Sequence, residues 1–124
     1  MTKTTESTLA RVAVIACGGT IASEPSTDGA KPAKSGADLI EAVPGIEKYA
    51  TVTTHEVCSR PGFDIHWRDI FATAQAVQDA AANGADGIVV THGTDTLADT
   101  AYALDLLTGV ETPVLVTGAQ RRLD

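Results

Sequence analysis

Apolar positions in this chain come in short bursts separated by polar, glycine-rich stretches, and the period of the pattern changes from one burst to the next. Val12-Ala13-Val14-Ile15-Ala16 is a continuous apolar run bounded by Gly18-Gly19, too short for a helix, and reads as a buried first strand. Thr51 to Cys58 is β-branched with partial alternation and predicts a second strand, Gly87-Ile88-Val89-Val90-Thr91 a third, and Val114-Leu115-Val116-Thr117 a fourth. Between them the spacing turns helical. Ser35 and Asp38 precede Leu39, Ile40, Ala42 and Val43, a short capped helix stopped by Pro44-Gly45. From Trp67 to Asn83, Trp67, Ile70, Phe71, Ala74 and Val77 recur at helical intervals, a pattern that predicts core positions, with Asp64 as the expected amino-terminal cap and Asn83-Gly84 as the stop. Thr96 to Leu107 predicts a third helix with Leu97, Ala101, Leu104 and Leu107 turned inward. Strands and helices thus alternate, β-α-β-α-β-α-β. Right-handed crossovers place such strands in one parallel sheet with helices on both faces, an α/β fold of Rossmann-like or flavodoxin-like type.

Two segments fall outside this alternation. Residues 1 to 10 are polar and read as a disordered lead-in, so the expected domain runs from 11 to 124. Ser23 to Ser35 is rich in Pro, Gly, Ser, Thr and Asp, too polar to bury and too long for a minimal connection, and is expected to be a mobile or functional loop.

Composition narrows the picture. With 124 residues, 44% hydrophobic but only 4% aromatic, the chain suffices for one core built from Val, Ile, Leu and Ala. A formal charge of -7 repels polyanions, and no basic cluster exceeds Arg121-Arg122, so nucleic acid is not an expected partner. The start MTKTTESTLA lacks the basic and apolar segments of a signal peptide, and no apolar stretch approaches membrane-spanning length; the expectation is a cytoplasmic protein with no membrane partner. Cys17 and Cys58 lack a Cys-x-x-Cys spacing, and His55 and His66 lack metal-ligand spacing, so no disulfide framework or metal site is expected.

Chemistry concentrates at two threonines. Thr20 follows the first strand in Cys17-Gly18-Gly19-Thr20-Ile21-Ala22, and Thr94 follows the third in Thr91-His92-Gly93-Thr94-Asp95-Thr96. The carboxyl edge of an open α/β sheet is where loops converge and helix amino termini direct N–H groups at substrate oxygens. A threonine hydroxyl attacks only if a neighbour takes its proton, and the oxyanion it creates needs oriented donors. Asp95 offers a carboxylate for proton transfer or for holding an ammonium, and the glycines let substrate approach the backbone. Each motif alone is more often a tight turn with a helix-capping hydroxyl. Their joint occurrence in this order carries the functional reading.

Both motifs resemble the L-asparaginase family of bacterial and archaeal type, whose Gly-Gly-Thr-Ile-Ala and His-Gly-Thr-Asp-Thr signatures stand unaltered at 18–22 and 92–96. The similarity extends through Ala42-Val43-Pro44-Gly45 and Thr100-Ala101-Tyr102 to Thr117-Gly118-Ala119-Gln120-Arg121. The resemblance implies the amino-terminal half of a two-domain enzyme that hydrolyses L-asparagine, or L-glutamine, without metal or organic cofactor, as a homo-oligomer when full length. It implies Thr20 as nucleophile, Thr94 and Asp95 as the second threonine and its acidic neighbour, and His92 as support behind them. Gly19, Gly62, Gly93, Thr94 and Asp95 are the implied substrate-binding set. In the family the second threonine works with a lysine, and the Asp holds the substrate's α-amino group.

Three departures follow. Many relatives place a tyrosine in the loop after the nucleophile, where this chain has Gly29-Ala30-Lys31-Pro32 and no tyrosine before Tyr49. The stretch that usually binds the substrate carboxylate through a Ser and a polar residue reads Arg60-Pro61-Gly62-Phe63-Asp64, leaving the Gly62 N–H. The paired lysine and the second domain are expected beyond Asp124, along with an acidic residue lent by a neighbouring subunit. Two rivals remain. The amidase subunit of a tRNA-dependent amidotransferase shares both motifs but carries an extra domain ahead of the first strand, where this chain has about ten residues. A truncated non-catalytic interaction or binding module is the other, though no Gly-x-x-x-x-Gly-Lys or Gly-x-Gly-x-x-Gly pattern supports nucleotide binding.

Overall fold

The computed structural model describes residues 8–19, 23–32 and 34–121. Its centre is a four-stranded sheet. Strand β1 (Ala10–Gly18) is flanked by β4 (Ala50–Arg60) and β5 (Gly87–Thr91), and β5 pairs in turn with β6 (Val114–Thr117), giving the order β4-β1-β5-β6. All three pairings are parallel. Strand β1 lies in the middle because it is apolar on both faces: Ala13 through Cys17 are all buried, as an internal parallel strand requires. Strand β4, with Thr51, Thr53, Thr54, His55 and Glu56 exposed, takes the edge.

The chain steps one way from β1 to β4 and then back across β1 to β5, so right-handed crossovers put the intervening helices on opposite faces. Helix α1 (Gly36–Glu41) packs where a Cβ on Gly36 would stand 3.2 Å from the Ala16 Cβ. Helices α2 (Trp67–Ala82) and α3 (Leu97–Thr108) cover the other face. There Ala13, Ile15 and Cys17 of β1 meet Ala74, Val77 and Ala80 of α2, Leu104 of α3, and Ile88 and Val90 of β5 in one core. Helix α1 begins on a capping box in which Ser35 Oγ accepts from the Asp38 N–H at 3.1 Å and Asp38 Oδ2 accepts from the Ser35 N–H at 2.7 Å.

Four expectations are revised. The segment after the first strand contains a two-stranded antiparallel hairpin, β2 (Ser23–Ser26) and β3 (Gly29–Pro32), joined by the Thr27-Asp28 turn. Its strands are polar and its two loop residues, Thr27-Asp28, are not the Asn-Gly or Asp-Gly pair that marks such a connection, so no local signal announced it. Asp64 does not cap α2. It sits in a single 3-10 turn, Gly62–Asp64, while His66 holds the N-cap position and its N–H donates to Asp69 Oδ2 at 2.9 Å. Trp67 and Phe71 are not core: they are 68% and 55% exposed and lie against each other with ring centroids 6.4 Å apart, while Ile70, Thr73, Ala74, Val77 and Ala80 face the sheet. Leu107 also points outward at 39% exposure, and Thr100 with Leu104 forms the buried face of α3. Helical spacing finds apolar stripes, but two stripes on one helix cannot both meet the sheet. Among the described residues no helix is long and apolar enough to cross a membrane.

Candidate active site

In the order β4-β1-β5-β6 the chain changes direction between β1 and β5. Crevices for ligands open at such a switch point, beyond the carboxyl ends of the strands. The two sequence motifs emerge side by side there. Gly18 and Gly19 leave β1 with φ of 82° and 87°, left-handed values that a side chain opposes by about 1–2 kcal/mol. Gly19 donates its N–H to the Arg60 carbonyl at 3.1 Å, fastening the first motif to the end of β4.

The loops after β1, β4 and β5 touch backbone to backbone. A Cβ on Gly19 would fall 2.5 Å from the Gly93 nitrogen; one on Gly93 would fall 2.6 Å from the Gly62 Cα and nitrogen; one on Gly62 would fall 3.2 Å from the Asp95 Cβ. A fourth loop joins after β6, where a Cβ on Gly118 would meet the His92 carbonyl oxygen at 2.6 Å and Thr94 Cγ2 at 3.2 Å. Gly19, Gly62 and Gly93, three members of the implied substrate-binding set, thus form one junction. Here the need for glycine is the thinness of the contact.

Polar groups hold the junction from behind. His92 is buried and spans two partners: Nδ1 lies 2.8 Å from the Gly93 carbonyl oxygen and Nε2 lies 3.0 Å from Thr100 Oγ1. A carbonyl only accepts, so Nδ1 carries the proton and Nε2 accepts from the Thr100 hydroxyl. Its backbone N–H donates to the Thr117 carbonyl at 2.8 Å, tying the loop to β6. Thr96 Oγ1 donates to the Gly62 carbonyl at 2.7 Å, tying the start of α3 to the loop after β4. Arg60 braces that loop: Nε lies 3.3 Å from Asp69 Oδ2 and Nη1 lies 3.2 Å from Asp64 Oδ2, with His66 Nε2 3.4 Å from the other Asp64 oxygen.

With this backing in place, Thr94 and Asp95 stand exposed in the turn immediately before α3. The amino terminus of a twelve-residue helix therefore opens beside them, with its uncommitted N–H groups and positive dipole end. Gly62 is buried against Gly93 and Asp95. Thr20 lies outside the described residues. Among the described residues no cluster of three or more potential metal ligands occurs.

Sequence reasoning missed three contributors. Arg60 stood out only as a departure from a family pattern, and its bond to Asp69 spans a loop and a helix cap. Thr96 reads from the sequence as the helix start and the last residue of the second motif, without a site role, although its bond to Gly62 is what couples two loops. Gly118 carried a signal in the Thr117-Gly118 step at a strand end, but its contact with the His92 carbonyl depends on strand order.

A parallel α/β domain with two glycine–threonine loops joined at its switch point belongs to a recognisable class. The family model described as the amino-terminal domain of asparaginase matches residues 11–124, and the chain belongs to that family. It is 40% identical over 114 residues to an L-asparaginase of Bacillus licheniformis, covering 90% of this chain and 35% of that protein. It is 36% identical over 118 residues to a glutamyl-tRNA(Gln) amidotransferase subunit from Methanococcus vannielii, covering 94% of this chain and 28% of that one. Among solved structures, a probable cytoplasmic L-asparaginase from Campylobacter jejuni superposes with a TM-score of 0.81 at 32% identity, over 92% of this chain and 34% of that one. The thermostable L-asparaginase from Thermococcus kodakarensis gives 0.76 at 33% identity, over 91% and 35%. The chain therefore spans about a third of the length of these relatives.

Proposed function

We propose that this domain carries the threonine half of an amidohydrolase site that cleaves L-asparagine to L-aspartate and ammonia. The observation that supports it best is the contact of Gly19 with Gly93, which brings the residue before Thr20 against the residue before Thr94 at the edge where α/β sheets bind ligands. In this reading the Thr20 hydroxyl attacks the side-chain amide carbon as its proton passes to a neighbouring base, and the carbonyl oxygen becomes an oxyanion held by backbone N–H groups of the glycine-rich loops. As the intermediate collapses, the base returns that proton to the amide nitrogen, which leaves as ammonia, and an ester remains on Thr20. Water oriented through Thr94 then hydrolyses that ester, releasing aspartate and restoring the hydroxyl. Asp95 grips the substrate's α-ammonium, and Gly62 lines the carboxylate end. His92 fixes the loop through its two hydrogen bonds and is not the base, because those bonds go to the Gly93 carbonyl and the buried Thr100 hydroxyl and neither goes to a proposed nucleophile.

Residues 11–124 form the amino-terminal domain in this reading. The base paired with Thr94 and the remaining substrate contacts come from further polypeptide, and the working protein is a cytoplasmic homo-oligomer needing no cofactor. A second reading, the amidase subunit of a glutamyl-tRNA amidotransferase, rests on the 36% identity to such a protein. Ammonia release from L-asparagine and from L-glutamine, measured on this chain and on a protein extended along its reading frame, tests the proposal. Turnover of asparagine in the extended protein, lost in both T20A and T94A with folding retained, is the expected result. Turnover surviving both substitutions refutes the mechanism, and turnover of glutamine alone favours the amidotransferase reading.

A further inference from the structure

The register between β1 and β4 slips beside the glycine junction. Ala16 pairs with Glu56 but Gly18 pairs with Arg60, so Val57, Cys58 and Ser59 of β4 stand opposite the single Cys17 of β1. The slip places Cys17 beside Cys58, where a regular ladder would set it against Val57. Both side chains lie on the α2 face: Cys17 belongs to the core cluster and Cys58 packs against its rim. The Cys58 thiol donates to the Cys17 carbonyl at 3.5 Å, and Cys17 Sγ lies 3.3 Å from Thr73 Oγ1 on α2. The Cys58 sulfur therefore reaches the backbone of Cys17 itself, and the spacing of neighbouring strands, about 4.8 Å, falls inside the roughly 4.4–6.8 Å between Cα atoms that a disulfide spans. Both thiols are free.

We propose that Cys17 and Cys58 form a modification site, a dithiol that closes reversibly to an intrachain disulfide on exposure to a hydroperoxide. The proposed hydrolysis uses neither thiol, so the inference stands apart from it. Accessibility decides which sulfur meets the oxidant. Cys58 is half-buried and reaches the surface, whereas Cys17 is 1% exposed. The Cys58 thiol beside it holds the Cys17 sulfur below the ordinary thiol range despite burial, and the same contact together with burial pushes Cys58 up. Exposure, not acidity, makes Cys58 the sulfur that meets the oxidant, reacting through the ionised fraction it exchanges with solvent, and Cys17 supplies the resolving thiolate.

In the first step the Cys58 sulfur attacks the terminal peroxide oxygen. The O–O bond breaks, Cys58 becomes a sulfenic acid, and the second oxygen leaves as water with the thiol proton when the oxidant is hydrogen peroxide. In the second step the Cys17 sulfur attacks the Cys58 sulfur. The S–O bond breaks as the S–S bond forms, and the departing hydroxide takes up, through solvent, the proton that Cys17 gave up on ionising, leaving as a second water. Two thiols lose two electrons and one peroxide gains them. The bond ties β1 to β4 one residue before Gly18, beside the Arg60 carbonyl that receives the Gly19 N–H.

The test treats the purified chain with hydrogen peroxide at low protein concentration, alkylates it with N-ethylmaleimide in denaturant, and maps its peptides without reductant. The expected product is a monomer lighter by the two thiol hydrogens, free of maleimide, containing a Cys17–Cys58 linked peptide and regaining both thiols with dithiothreitol. C17S and C58S, checked for folding by circular dichroism, should give only oxygen adducts or intermolecular dimers. Wild-type chain that ends with both cysteines alkylated, or with oxygen adducts and no linked peptide, overturns the proposal.

Discussion

Replacing Gly93 with Ala isolates the contact on which the site depends. Gly93 is not among the positive-φ glycines, so alanine introduces no left-handed strain, and the whole effect comes from its methyl group. That methyl would lie 2.6 Å from the Gly62 Cα and nitrogen, against 3.4 Å or more in ordinary contact, so the loops must part by about 0.8 Å. Both obstructing atoms are backbone and no rotamer relieves them. Overpacking of this kind costs about 1–3 kcal/mol. For a chain of this size each kcal/mol shifts Tm by roughly 3–5 °C, so G93A should melt about 3–15 °C below the parent, with a matching fall in urea midpoint and an unchanged m-value. Two glycines serve as controls: Gly87 has nothing within 4 Å and ordinary φ, and Gly109 has nothing within 4 Å but a φ of 57°. G87A should shift stability by less than about 1 kcal/mol, upward if at all, and G109A should lose about 1 kcal/mol from strain alone. In a hydrolytically active protein the displacement of the Thr94-Asp95 loop, about 0.8 Å, approaches the roughly 1 Å that costs about 100-fold in rate. If G93A melts with G87A, the three loops do not meet as described and the proposed site falls with them.

Further outcomes follow from other contacts. His92→Leu should destabilise by about 2–4 kcal/mol in chemical unfolding, because it leaves the Gly93 carbonyl and the Thr100 hydroxyl buried without their partner; a loss under about 1 kcal/mol would mean that water replaces the ring. Leu104→Ala, at 2% exposure, should cost about 2–5 kcal/mol, while Leu106→Ala, at 67% exposure, should cost under about 1 kcal/mol; similar urea midpoints for the two would contradict the assigned inner face of α3. The Ser35 N–H and hydroxyl bonds hold Asp38 below the ordinary carboxylate value. Its folded pKa lies below its unfolded one, so its stabilisation of α1 is complete above the ordinary value near 3.8 and is lost as pH falls through the folded value. An NMR titration of its side chain should find the midpoint below that of an unstructured peptide of the same sequence, and S35A, which removes the hydroxyl but keeps the backbone N–H, should raise it part of the way.

The sequence by itself determined the alternation of strands and helices, the two glycine–threonine loops and the family. Those features are local: an apolar run between glycines and polar loops forms a strand wherever it lands, and a motif is legible because its residues are contiguous. The parallel sheet with helices on both faces followed from the same alternation. Tertiary structure decided the rest. Whether Trp67 and Phe71 or Ile70 and Val77 face the sheet depends on how α2 lies across β1, since both stripes are apolar and only one fits. Gly62 stands far along the chain from Gly93 with no local reason to touch it, and only the placement of β4 and β5 on either side of β1 closes that gap. The same strand order sets Arg60 under Gly19 and Gly118 under His92, and the register slip that brings Cys17 to Cys58 exists only between paired strands. Spacing along the chain fixes which groups are present; distance across the sheet fixes which of them act together.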